Sequence, residues 1–125
     1  MAKGNLHHAL VEIIGVARAD GRCPSSYNVI VDTASSKLNM GIGYSPCLTA
    51  SRGAGRAFVD LQTAKKLSLS EMLRLQGFTT EEMAGMNFVG ARSSIGHMAG
   101  NAFTKTVIMR IVRAALSAAE AGLPR

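Results

Sequence analysis

The side chains of this 125-residue chain that could carry chemistry are two cysteines, three histidines and a run of basic residues. Cys47 follows a proline, and the thiolate form of a cysteine is a nucleophile. The histidines His7, His8 and His97 are too scattered for a metal site, and no cysteine or carboxylate completes a known ligand spacing. The sequence therefore predicts no metal site, and it leaves Cys47 to be weighed as a nucleophile or as a small structural thiol.

A basic stretch is formed by Arg52, Arg56, Lys65 and Lys66. The whole chain has 14 Lys and Arg against 8 Asp and Glu, which gives a formal net charge of +6. Such charge contacts the phosphates of nucleic acids and supplies affinity without choosing a sequence. The alternative is a solvated face that binds nothing.

The elements that must position these side chains begin with a helix predicted over residues 6–18, where apolar residues recur at helical spacing. Runs rich in β-branched residues predict a strand over 27–32 and a returning strand over 56–61. The intervening segments are expected to be irregular over 34–44, extended or looped over 45–52 and a turn over 53–55.

The second half of the chain carries clearer helix signals. Ser68 and Glu71 form a capping-box pattern, so a helix is predicted from Leu69 to Gln76, where Gly77 ends it. Residues 79–83 offer a second, weaker start signal, and residues 85–100 are interrupted by glycines and receive no assignment.

A terminal helix is predicted after Asn101, with one apolar stripe. Its members are Phe103, Val107, Ile108, Ile111, Val112, Ala115, Leu116 and Ala119.

Three stretches in a fixed order resemble the closing blocks of the DNA (cytosine-5) methyltransferase family. The stretch Leu67–Phe78 matches that family's Leu-(Thr/Ser)-x-x-Glu-x-x-Arg-Leu-Gln-Gly-Phe pattern. Ala99–Ala102 matches the Ile-Gly-Asn-Ala block that opens the terminal helix, with alanine where isoleucine is usual. Upstream, Ser45–Gly53 is similar to the Pro-x-Leu-Thr-Ala-Ser segment that closes the target-recognition region. The resemblance covers most of the chain, from about residue 46 to residue 116.

The resemblance implies an α/β fold, as the C-terminal fragment of an S-adenosylmethionine-dependent methyltransferase. This fragment would be helix-rich, with a few short strands and an incomplete parallel-sheet domain. Residues 1–60 would be the end of a target-recognition-like region with a leading helix, and residues 61–125 the closing helices that return to the cofactor domain. We expect an exposed apolar face where the rest of that domain would pack.

These enzymes flip a cytosine out of duplex DNA, attack it with a cysteine thiolate and transfer a methyl group from S-adenosylmethionine, since the target atom is inaccessible in the stacked helix. The family's Phe-x-Gly-x-Gly cofactor loop, Pro-Cys-Gln nucleophile loop, Glu-Asn-Val strand and Gln-x-Arg-x-Arg strand are absent from this sequence. Cys47 is followed by Leu48-Thr49 rather than by glutamine, so it is interpreted as a small buried or loop thiol, and no catalytic residue is predicted.

By resemblance, Gly100, Asn101 and Ala102 lie near the S-adenosylmethionine. The physical chemistry agrees with this role. Glycine lets the backbone approach a ligand closely, and asparagine is a good N-cap for the terminal helix. The alternative is that Gly100-Asn101 is an ordinary turn and cap.

Contacts with duplex DNA are assigned, also by resemblance and by charge, to Thr49, Ser51, Arg52 and Arg56.

The function expected is the C-terminal portion of a DNA cytosine-5 methyltransferase, which contributes to the S-adenosylmethionine pocket and to target recognition but cannot methylate without the N-terminal catalytic portion, in cis or in trans. The alternatives are a non-catalytic DNA-binding or interaction remnant, and a truncated gene model. No apolar run approaches the ~20 residues of a membrane helix. The two cysteines form no disulfide framework, so a reducing, intracellular compartment is expected, either a nucleus or a bacterial cytoplasm.

Overall fold

The computed structural model of the chain describes residues 2–55, 57–86 and 92–122. Within these ranges the helices and strands follow a mixed order. They are α1 (Ala2–Asp20), a 3-10 turn (Pro24–Ser26), β1 (Val29–Asp32), β2 (Met40–Ile42), α2 (Ala50–Gly55), β3 (Phe58–Asp60), β4 (Lys65–Lys66), α3 (Leu69–Leu75), α4 (Thr80–Ala84), α5 (Arg92–Asn101) and α6 (Lys105–Gly122). None of the described helices is long and apolar enough to cross a membrane.

The four strands form one antiparallel sheet in the order β2-β1-β3-β4. The expectation of an α/β chain rich in helix is confirmed, but the expectation of part of a parallel sheet is wrong. For two of the three strand pairs the reason is the length of the connection. Short loops at 33–39 and 61–64 join β1 to β2 and β3 to β4, whereas parallel neighbours need a crossover of a dozen or more residues.

Helix α1 covers one face of this sheet. Ala9, Ile13 and Ala17 recur every four residues, so they lie on one side of the helix, where they pack against Val29 and Val31 of β1. All five of these side chains are buried. The helix and the strand predicted in this region are confirmed, and Ile30, which alternates with the two valines, packs on the other face of the sheet.

The opposite face of the sheet holds a second cluster, in which Phe58 of β3 packs with Leu67 and Met72. Helix α3 is fixed over it by the predicted capping box. The Glu71 amide donates to the Ser68 hydroxyl at 3.2 Å, and the Ser68 amide donates to the Glu71 carboxylate at 2.6 Å. The second start signal, at Thr79 and Glu82, forms a complete capping box of its own at the start of α4.

Two stretches that the sequence assigns to irregular structure are regular. Residues 34–44 contain strand β2, and residues 53–55, predicted as a turn, complete helix α2. The glycines that suggested breaks serve close approach instead. In β2, a Cβ on Gly41 would collide with the backbone of Tyr44.

Helices α2 and α5 cross with their backbones almost in contact. A Cβ on Gly96 of α5 would lie 2.5 Å from the carbonyl oxygen of Gly53 in α2. One turn later, a Cβ on Gly100 would collide with the carbonyl of Thr49. Glycine at these positions therefore reflects the helix crossing, which explains why local propensity failed to predict α5.

Helix α6 lies on the outside of the fold. None of its 18 residues, all of which the structure describes, is buried. The predicted apolar stripe is solvent-exposed, with Val107, Ile111 and Leu116 each more than half exposed. An exposed apolar face is expected where the rest of the domain would pack, and α6 presents such a face.

Candidate functional site

The three stretches that carry the family resemblance meet at one cleft of about 330 Å³. Its walls come from three separate parts of the chain, namely the segment before α2, the end of α3 and the α5–α6 connection. The lining residues are Ser45, Pro46, Cys47, Leu48, Leu75, Gln76, Ala102, Phe103 and Thr104.

The polar floor of this cleft is built around Gln76, which is 6% exposed. Its side-chain Nε2 donates to the carbonyl oxygen of Ala99 at 3.0 Å, and its Oε1 accepts from the Thr104 hydroxyl at 3.1 Å. The backbone carbonyl of Gln76 accepts from the amide of Lys105 at 2.7 Å. A single residue thus connects the end of α3 to the last turn of α5 and to the first turn of α6.

The neighbouring Gly77 is required for two reasons. Its φ of +88° lies in the left-handed region that favours glycine at the end of a helix. A Cβ there would also lie 2.9 Å from Cγ2 of Thr106. The predicted C-terminal stop at Gly77 is therefore confirmed, and the same residue lets α6 begin close against α3.

The residues assigned to the cofactor are arranged differently from expectation. Asn101 is the last residue of α5, and α6 begins at Lys105, so the prediction that Asn101 caps the terminal helix is wrong. The residue immediately before α6 is Thr104, and its backbone carbonyl accepts from the amides of Val107 and Ile108.

The other two cofactor assignments differ in their exposure to the cleft. Gly100 is packed against α2, so its missing side chain serves the helix crossing, whereas Ala102 lines the cleft. A cofactor role for these residues stays a prediction.

The residues assigned to DNA do not all project freely. Thr49 and Ser51 are exposed at the start of α2. Arg52 instead donates from Nε to Oδ2 of Asp32 at 2.9 Å, and its side chain is 30% exposed. Arg56 lies outside the described residues.

Asp32 is a buried charge that no sequence pattern singles out. Its side chain is 4% exposed, and the carboxylate also accepts from the backbone amide of Ala34 at 3.0 Å. Asp32 lies in β1 and Arg52 lies in α2, 20 positions later in the sequence, so their ion pair holds the helix against the strand. A structural role accounts for this arginine without DNA.

Two further basic residues of the predicted stretch, Lys65 and Lys66, form the short edge strand β4 and are both exposed. Edge strands of this kind are protected from further pairing by lysine side chains. Their charge is available to a phosphate backbone, and the same exposure fits a solvated face.

Both cysteines are exposed and free of disulfides. Cys47 lies in the wall of the cleft, which places it beside the residues that resemble the cofactor block. Cys23 lies elsewhere, before the 3-10 turn, where hydrogen bonds from the hydroxyl and the amide of Ser25 lower the pKa of its thiol. Neither cysteine contacts a histidine among the hydrogen bonds of the described residues, so no paired nucleophile and base is assembled.

The arrangement suits binding more than catalysis. Among the nine residues that line the cleft, none carries a formal charge, and its walls are mainly Pro46, Leu48, Leu75 and Phe103. The described residues contain no cluster of three or more His, Cys, Asp or Glu side chains that could hold a metal ion. No known protein family, curated protein or solved structure matches the chain.

Proposed function

We propose that this chain is the C-terminal portion of a DNA cytosine-5 methyltransferase, contributing one wall of the S-adenosylmethionine pocket and part of the DNA-recognition surface. The observation that supports the proposal is that three separate segments of the chain meet at one cleft. Segments 45–48, 75–76 and 102–104 are far apart in sequence, each lies in or beside a stretch that resembles the family, and they line one cleft.

The exposed apolar stripe of α6 supports the same proposal. Val107, Ile111, Val112 and Leu116 are 43–59% exposed, which is costly for a chain that works in isolation. Burial of this face against the N-terminal catalytic portion would remove that cost. That portion supplies the cofactor loop and the nucleophile, so this chain contributes binding and positioning and does not methylate without it.

The test is reconstitution with a polypeptide from the same genome that carries the Phe-x-Gly-x-Gly and Pro-Cys-Gln segments. The readout is transfer of a tritiated methyl group from S-adenosylmethionine to duplex DNA. The proposal expects transfer from the pair and none from this chain by itself. A pair that binds no S-adenosylmethionine overturns the proposal.

A matched pair of variants tests whether α6 is the docking face. Leu116→Glu places a charge in the apolar stripe and should abolish activity of the pair. Ser117→Glu adds the same charge one position away from that stripe and should leave activity within about twofold, as expected of a surface substitution.

The second candidate is a non-catalytic DNA-binding remnant, favoured by the exposed Lys65 and Lys66 and by the net charge of +6. It predicts duplex binding by the isolated chain without cofactor binding. Each phosphate contact contributes roughly 0.9 to the slope of log affinity against log salt concentration. Lys66→Gln should reduce that slope, while the control Lys37→Gln, which removes an exposed lysine outside β4, should not.

A further inference from the structure

We infer that Gln76 is a positioning residue, which sets the geometry of the α5–α6 junction and so the direction in which α6 presents its apolar stripe. The consequence for methyl transfer depends on the proposed function. The junction itself can be tested without it.

Both ends of the Gln76 side-chain amide form hydrogen bonds. The donor Nε2 holds the Ala99 carbonyl in the last turn of α5, and the acceptor Oε1 holds the Thr104 hydroxyl immediately before α6. The connection between the two helices is residues 102–104, so one buried side chain spans it. An apolar side chain of the same size would fill the space and make neither bond.

Further contacts of α6 with the rest of the chain lie in the same first turn of the helix. The Lys105 amide, one of the donors that a helix start leaves unpaired, donates to the Gln76 carbonyl. The Lys105 ammonium pairs with Glu82 and lies 5.6 Å from the centre of the Phe78 ring. Thr106 packs against Gly77. Lys105 and Ile108, in the first turn of α6, are half-buried, whereas every residue from Met109 to Gly122 is exposed.

The length of α6 amplifies a change of angle at its first turn. A helix of 18 residues is about 27 Å long, so a change of roughly 10° at its first turn moves its far end by about 5 Å. Leu116, about 17 Å along the helix, moves by about 3 Å, which takes it out of register with a partner surface. The two bonds of the Gln76 side chain therefore control a surface that Gln76 does not touch.

The first experiment uses the full chain without a partner. Nitroxide labels are placed at Val11→Cys on α1 and Ala118→Cys on α6, with Cys23→Ser and Cys47→Ser, and the distance distribution is measured by pulsed electron paramagnetic resonance. Gln76→Met should broaden the distribution. A distribution as narrow as that of the parent chain would overturn the inference.

Amide exchange supplies the second readout. Gln76→Met keeps the backbone carbonyl to which the Lys105 amide donates, but it removes the two side-chain bonds that hold the junction. Loss of even one hydrogen bond raises local opening by about fivefold, so the Lys105 amide should exchange at least that much faster in this variant. Exchange in α1 should be unchanged, because general destabilisation would accelerate both. Thr104→Val should reproduce part of the effect, whereas Thr104→Ser, which keeps the hydroxyl, should restore the parent behaviour. Equal effects of the valine and serine variants would contradict a role for the hydroxyl bond.

The activity arm separates this inference from the proposed function. With the reconstituted pair, Gln76→Met should raise the concentration of this chain needed for half-maximal methyl transfer, whatever its effect on the saturated rate, because Gln76 also lines the proposed cofactor cleft. A lower saturated rate with unchanged half-saturation would show that Gln76 acts in another way. If the parent pair transfers no methyl group, the proposed function fails, and the distance and exchange measurements still decide the role of Gln76.

Discussion

The crossing of α2 and α5 allows a quantitative prediction for Gly96→Ala. The new Cβ would lie 2.5 Å from the Gly53 carbonyl oxygen and 2.8 Å from its carbonyl carbon, whereas ordinary contact begins at 3.4 Å. The shortfall is about 0.9 Å, and both obstacles are main-chain atoms, so no side-chain rotation removes the collision. The two helices would have to separate.

Two opposing contributions set the size of the effect. Overpacking of this kind costs roughly 1–3 kcal/mol, and the rigid backbone places Gly96→Ala towards the upper end. Replacing glycine by alanine inside a helix returns about 0.5–1 kcal/mol. The net expectation is a loss of about 1–2 kcal/mol in the free energy of unfolding.

Gly15→Ala is the matched control. Gly15 lies inside α1, and a Cβ there meets no atom within 4 Å, so the helix-propensity gain of about 0.5–1 kcal/mol should appear undiminished. The assay is urea unfolding followed by circular dichroism at the helix band. The two variants should differ by about 1.5–3 kcal/mol, with opposite signs. If Gly96→Ala is as stabilising as Gly15→Ala, the close helix crossing is incorrect.

Three further predictions concern charged and titrating groups. Arg52→Ala leaves the buried Asp32 carboxylate without its cation and should lower the free energy of unfolding by about 2 kcal/mol in the same urea assay. The hydrogen bond from the lysine that begins α6 lowers the pKa of Glu82 from its ordinary value of 4.5. The stabilisation from this pair is therefore present above that value and is lost as the pH falls through the lower folded-state pKa of Glu82. The melting temperature of Glu82→Gln should therefore fall less steeply with acidification than that of the parent chain. Ser25→Ala removes the hydroxyl that lowers the pKa of the Cys23 thiol and should slow its alkylation at neutral pH, measured by mass spectrometry.

Each of these has a contrary outcome. Unchanged stability of Arg52→Ala would mean that its charge is free for DNA after all. Parallel curves of melting temperature against pH for Glu82→Gln and the parent chain would show that the ion pair of Glu82 does not stabilise the fold. Equal alkylation rates with and without the Ser25 hydroxyl would show that it does not stabilise the Cys23 thiolate.

The parts of the fold that the sequence predicted are those governed by neighbours in the chain. The four-residue apolar repeat of α1 and the capping boxes at Ser68 and Thr79 act over three or four positions, so they are readable directly. Gly53 and Gly96 misled the prediction because their local tendency is to break helices, while their actual role is contact with each other across 43 residues.

Of the described residues assigned to a cofactor or to DNA, only Ala102 lines the cleft. Gln76 lies in a stretch that carries the resemblance, but no site role was predicted for it, because its bonds to Ala99 and Thr104 span 23 and 28 residues and have no local signature. The same limit explains the error at Asn101. A Gly-Asn pair is a good helix start by propensity, and here the preceding helix continues through it.

The proposed function is tested by methyl transfer from tritiated S-adenosylmethionine to duplex DNA, using this chain together with an N-terminal portion that carries the cofactor loop and nucleophile. We expect transfer when both are present, none from either one separately, and loss of transfer with Leu116→Glu in α6. Equal transfer by the N-terminal portion without this chain, or a pair that binds no S-adenosylmethionine, would contradict the proposed function.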